Sequence, residues 1–209
     1  MAKIGETEYA TLAEAITAAG NNETAITLIA DATENVTIPA NANITLDLGG
    51  KTLTNTNAGT ATISVAGTAT VKSGNVTGGT SYYNIEVKTG GNLTLEDVTA
   101  TAGNNGSSMI DIFGTLTVTS GTYTGGLDVV KNEPGGNLTI NGGEFTLTTT
   151  VGTNGYTAVI YNYGTAILNN GIFTQAGTTP AKAYASVLIT SKDKAEDPTP
   201  TTTVNNVTF

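Results

Sequence analysis

Leu48-Gly-Gly-Lys-Thr-Leu53-Thr, Val71-Lys-Ser-Gly-Asn-Val76-Thr, Leu95-Glu-Asp-Val-Thr-Ala100-Thr, Val118-Thr-Ser-Gly-Thr-Tyr123-Thr, Ile140-Asn-Gly-Gly-Glu-Phe145-Thr, Leu168-Asn-Asn-Gly-Ile-Phe173-Thr and Val204-Asn-Asn-Val-Thr-Phe209 are seven versions of one phrase. Each has an apolar residue, a corner rich in Gly, Asn, Ser or Asp, and a short strand closing on an apolar or aromatic side chain. Successive copies lie roughly 22 to 28 residues apart, with one longer last interval. A period in this range marks a solenoid, because one such unit cannot bury its apolar face without a neighbour stacked on it.

Working outward, each copy is preceded by two more short alternating segments. A first strand (Ile63-Ser-Val65, Ile85-Glu-Val87, Ile110-Asp-Ile112, Leu127-Asp-Val129) runs into a corner at Gly67, Gly91, Gly114, Gly136 or Gly164. A second strand follows: Ala69-Thr-Val71, Leu93-Thr-Leu95, Leu116-Thr-Val118, Leu138-Thr-Ile140 or Ala166-Ile-Leu168. Three strands and three corners per repeat predict an all-β, single-stranded parallel β-helix of about seven rungs, with equivalent residues stacked about 4.8 Å apart. Right-handed crossovers dominate parallel connections, so the expected hand is right. The closing column ends in Tyr123, Phe145, Phe173 and Phe209, which predicts an internal aromatic stack toward the C-terminus.

The opening segment differs. Thr11-Leu-Ala-Glu14 is a capping box, and Leu12, Ala15, Ile16 and Ala19 share a helical face that Gly20 ends. Residues 1–43 are read as an N-terminal cap containing this helix, which covers the open first rung. Residues 44–209 are read as the β-helix, with surface insertions near 146–156 and 175–200.

The rung motif Gly91-Asn-Leu-Thr-Leu95 and Gly136-Asn-Leu-Thr-Ile140 resembles right-handed parallel β-helix proteins of the pectate-lyase-like superfamily. The opening Ala2–Ala15, together with Ile44–Leu53, looks like the start of β-helix modules in bacterial surface proteins and phage structural proteins. The resemblance covers nearly the whole chain. It implies the fold and leaves lyases, hydrolases, adhesins and phage fibres as functional classes.

Composition narrows these classes. The chain has 8 Lys or Arg, all of them Lys, against 17 acidic residues and no His. A net charge of −9 argues against nucleic acid and against anionic membranes. No apolar run is long enough to span a membrane. Without Cys or His, thiolate metal sites, disulfides and Ser–His chemistry are excluded. The Arg-dependent or His-dependent signatures of the lyases and polygalacturonase-type hydrolases have no counterpart here. No export signal follows Met1, so synthesis in a host cytoplasm is expected.

Glu86, Asp111 and Asp128 are each flanked by apolar residues and are expected to form one outward acidic column, solvated or neutralised by Lys88 and Lys131, with a Ca²⁺ or glycan contact as the functional alternative. Paired carboxylates could also serve glycoside chemistry. The other aromatics expected outside, Tyr82, Tyr83, Phe113, Tyr161 and Tyr163, are scattered along the chain. Lys192, Asp193, Lys194, Glu196 and Asp197 form the one dense charge cluster, read as a docking loop. No cofactor is expected apart from Ca²⁺. The resulting expectation is a non-enzymatic virion structural protein on the phage surface: a capsid decoration protein, head fibre or related fibre subunit. It would be a homo-oligomer, a trimer by analogy with fibres, meeting other virion proteins and surface polysaccharide through carbohydrate binding. The alternatives are a bacterial cell-surface adhesion module and a polysaccharide lyase or glycoside hydrolase.

Overall fold

The structure, a computed structural model, describes residues 1–149, 156–177 and 184–209. Residues 150–155 and 178–183, within the two predicted insertions, lie outside the described residues. The chain forms a parallel β-solenoid of about six turns. First strands stack into one seven-stranded sheet, ordered from Val36–Ile38 through Ile63–Val65, Ile85–Val87, Ile110–Ile112, Val130–Asn132 and Tyr156–Asn162 to Tyr184–Thr190. Second and third strands stack into a larger sheet. In four rungs they are continuous, as Thr68–Gly78, Asn92–Ala102, Thr165–Gln175 and Thr201–Thr208. In two of these the bend between them falls at a left-handed residue, Ser73 (φ 56°) or Asp97 (φ 53°). Among the described strands from Glu23 onward, every pairing of one with another is parallel and in register, while Ala2–Ile4 joins Glu23–Leu28 antiparallel.

Register follows from the alternating pattern, because a slip of one residue would turn each apolar ladder to solvent. Leu46, Val71, Leu95, Val118, Ile140 and Leu168 stack as one buried ladder. The closing column runs Leu53, Val76, Ala100, Tyr123, Phe145, Phe173. Its rings are stacked, with centroids 4.8 Å apart for Tyr123–Phe145 and 5.1 Å for Phe145–Phe173. The Tyr123 hydroxyl donates to the Ser120 carbonyl at 3.0 Å. Phe209 extends the row at 6.0 Å from Phe173 but is 62% exposed, since no described rung lies over it. It is therefore the end of the stack and not part of its interior.

Two glycine columns let the rungs approach. At Gly114 a Cβ would stand 2.4 Å from the Gly91 carbonyl of the rung before. At Gly171 (φ 138°) it would press 3.1 Å from the Phe173 ring, so that corner requires both the backbone freedom and the missing side chain.

The helix Leu12–Ala19 buries Leu12, Ala15, Ile16 and Ala19 against the first strands. Its capping box forms as expected, and the Glu34 carboxylate accepts from the Leu12 and Ala13 amides at 2.8 and 3.1 Å. Within 175–200, Tyr184–Thr190 continues the first-strand sheet beside Tyr156–Asn162. The exposed loop carrying Lys192, Asp193, Lys194, Glu196 and Asp197 then folds on itself, Asp197 Oδ2 accepting from the Lys194 amide at 2.8 Å.

Candidate functional site

The first-strand sheet is short in each rung, with one side chain facing outward between two facing inward. In register, those outward positions are Thr37, Ser64, Glu86, Asp111, Lys131, Tyr161 and Ile189. The predicted acidic column is thereby corrected. Glu86 and Asp111 are neighbours in it, whereas Asp128 is not: the fourth first strand is Val130–Asn132 and places Lys131 opposite Asp111. The reason is a polar residue at an inward position. Asn132 is fully buried, and its amide donates to the Asn162 side chain at 2.8 Å and to the Gly136 and Thr165 carbonyls. Leu127-Asp-Val129 shows the apolar alternation, but Val130-Lys-Asn132 makes the pairing.

The expected outward exposure of the carboxylates is corrected as well. Asp111 is fully buried and Asp128 is 3% exposed; Glu86 is half-buried. Asp111 is walled in by neighbours on its own face, among them Tyr83, Lys131 and Glu133. Both its carboxyl oxygens are sealed from solvent, and neither meets a donor in hydrogen-bonding geometry. Tyr83 and Glu133 approach it as hydrogen-bonding neighbours, without reaching that geometry. Burial, reinforced by Glu133, pushes the Asp111 carboxyl up to about 7, against the pull of Lys131 and Tyr83.

Asp128 lies behind Lys131 and is better provided. Its Oδ2 accepts from the Ser108 hydroxyl at 3.1 Å and its Oδ1 from the Ala158 amide at 2.8 Å. Burial nonetheless outweighs those bonds and pushes it up to about 6. Lys131 pairs with Glu133 rather than with either aspartate, and its Nζ stands 5.5 Å from the Tyr163 ring centroid. Glu86 accepts from the Ser64 hydroxyl at 2.9 Å and sits 3.9 Å from Lys88 Nζ.

Tyrosines that are far apart in sequence gather around this column. Tyr82 and Tyr83 pack together with centroids 4.4 Å apart, and Tyr161 and Tyr163 stack at 4.7 Å. Between the pairs runs a groove of about 310 Å³ lined by Tyr83, Tyr161, Tyr163, Ser108, Asp128 and Lys131. On the other side of the Tyr82–Tyr83 ridge lies a smaller hollow of about 190 Å³, lined by Tyr82, Ser64, Glu86 and Lys88. Phe113 stands apart, at the Gly114 corner. Glu133, Ser108 and the convergence of the tyrosines escape a reading of the sequence. The available signal was that both tyrosine pairs flank first strands.

Among the described residues no three acidic side chains converge in a way that could hold a metal ion. The face therefore offers stacking surfaces, hydroxyls and buried carboxyls. Comparisons with family models, curated proteins and solved structures give no match to this chain.

Proposed function

We propose that this protein is a non-enzymatic surface-display solenoid that binds carbohydrate on the outer face of its first strands. The observation that carries this reading is the gathering of Tyr82, Tyr83, Tyr161 and Tyr163 beside buried polar groups on one face. Tyrosine gives a large contact area at little conformational cost and presents a hydroxyl at its rim. Sugars bind by stacking their C–H faces on such rings while their hydroxyls meet acceptors such as Asp128 and Glu86. The sequence resemblance to phage structural proteins supports reading the chain as a virion rod, a decoration protein, head fibre or fibre subunit. An excised bacterial adhesin would use the same face. Both placements predict binding to intact cell-surface polysaccharide. A glycan array run with the wild-type chain and with Tyr83→Ala and Tyr161→Ala tests this. Binding lost in both variants while thermal unfolding is unchanged supports the reading; an array blank for the wild type ends it.

One observation favours a second reading. Two carboxyls raised toward neutrality beside one groove suit acid–base cleavage of a glycosidic bond. Release of reducing ends by the wild type but not by Asp111→Asn would establish glycan cleavage and displace the non-enzymatic reading.

A further inference from the structure

Resting on the carbohydrate reading, we propose that the glycan recognised by this face is cationic: an amino-sugar polymer whose unacetylated ammonium groups seat against Tyr83, Tyr161 and Tyr163 and over the Asp128 carboxylate. Four features of the face point this way. The rings of the groove are of the type that attracts ammonium ions through the negative face of the π system. That attraction is already used once, since the Lys131 ammonium stands 5.5 Å from the Tyr163 centroid. Among the described residues of this face the carboxyls outnumber the ammonium groups: Glu86, Asp111, Asp128 and Glu133 stand with Lys88 and Lys131. Lys131 pairs with Glu133 and also acts on Asp111 and Asp128, so one ammonium serves three carboxyls at the groove.

The unpartnered Asp111 adds an independent reason. A fully buried carboxyl that Tyr83 and Glu133 approach without strict hydrogen-bond geometry, among the described residues, favours a nearby positive charge or a proton. Two of its neighbours, Tyr83 and Lys131, line the same groove. An ammonium brought onto the rings would offset the cost of ionising it. A polyanionic glycan would instead meet the surplus of carboxylates, and a neutral N-acetylated one would stack but leave the charge unanswered. The column itself suits a polymer. Four rung steps from Ser64 to Tyr161 span about 19 Å along the solenoid axis, a path that holds several linked sugars.

Carboxylates bind a cation only once deprotonated. The groups at the groove pushed into the relevant range are Asp128 and Asp111, with Glu133 and Lys131 paired to one another and Asp193 acting on Tyr163 from the following loop. Affinity for the amino sugar therefore rises as Asp128 loses its proton at about 6, and falls again at higher pH as the amino-sugar ammonium, which itself titrates near neutrality, loses its own.

The test is isothermal calorimetry on the full chain at physiological salt, using three oligomers of equal length: fully deacetylated glucosamine, its N-acetylated form and galacturonate. The expected result is deacetylated oligomer bound about tenfold or more tightly than the N-acetylated one. Galacturonate should not bind, and the preference should disappear in Asp128→Asn and weaken in Tyr161→Ala. Equal or tighter binding of the N-acetylated or galacturonate oligomer overturns the charge assignment and leaves the carbohydrate reading standing. A preference that survives unchanged in both variants reduces it to attraction by the net charge of −9 and also overturns it. No binding of any of the three, together with a blank glycan array, removes the underlying reading instead.

Discussion

The two outer faces of this solenoid are built on the same repeat and carry opposite chemistry. On the second and third strands, the outward positions stack like with like. Thr45, Thr70, Thr94, Thr117 and Thr139 form one row, and Thr54, Thr77, Thr101, Thr124, Thr146 and Thr174 form another. Asn141, Asn169 and Asn205 bond side chain to side chain up the corner, at 2.8 and 2.7 Å. On the first strands the outward column changes at every rung, from Ser64 to Glu86, Asp111, Lys131 and Tyr161. Repetition satisfies the scaffold: a β-branched or amide side chain stacked on its own kind fits the pleat and pairs its polar atoms. Departure from repetition is where a rung contributes something other than stacking, so the variable column is where recognition is expected.

The scaffold shared by both faces can be broken first. Phe145→Ala removes the middle ring of the stack and should destabilise the fold by roughly 3–5 kcal/mol, measured by chemical denaturation. A loss under about 1 kcal/mol would mean that the ladder next to it carries the core alone.

The next largest effect sharpens the difference between the faces. The native carboxyls of Asp111 and Asp128 hold their protons to about 7 and 6, above their unfolded value of 3.8. Their raised values favour the folded state at low pH. That contribution is complete below about pH 4 and is lost as pH rises through the folded values. Asp111→Asn should therefore make stability flatter between pH 4 and 7.5, gaining roughly 2–4 kcal/mol over the wild type at the upper end. A parallel pair of stability curves would show that Asp111 titrates normally.

Tyr161→Ala is expected to weaken glycan binding about tenfold, equivalent to ~1.4 kcal/mol, with little change in unfolding temperature. The paired substitution Thr94→Ala, on the opposite face, should leave binding unchanged and cost stability by no more than about 0.5 kcal/mol. Equal effects on binding from the two substitutions would abolish the distinction between the faces.

Much of the scaffold is legible before any coordinates. The repeated phrase beginning at Leu48, the corner glycines and the alternation of Thr with Leu or Val place strands, corners and ladders, since each is a local pattern with a period. The capping box at Thr11 is equally local and forms as read. The fourth first strand was less legible, because two overlapping apolar alternations compete there and the one that wins carries a buried asparagine. No pattern within the stretch from Leu127 to Asn132 reveals that Asn162, thirty residues later, supplies a partner for the Asn132 amide.

By itself, the sequence determined that the chain stacks as a parallel solenoid, which residues form its core ladders, and that its surface is acidic and devoid of His and Cys. Only the tertiary structure decided what the outer face becomes. Stacking brings Tyr83 and Tyr161 to one groove across 78 residues of chain, sets Lys131 in register with Asp111, and closes neighbours over a carboxyl whose strand position faces outward. The physical reason is that ladder formation depends on a local period of apolar residues. The burial and charge of an outward side chain depend instead on what the neighbouring rungs and corners present around it.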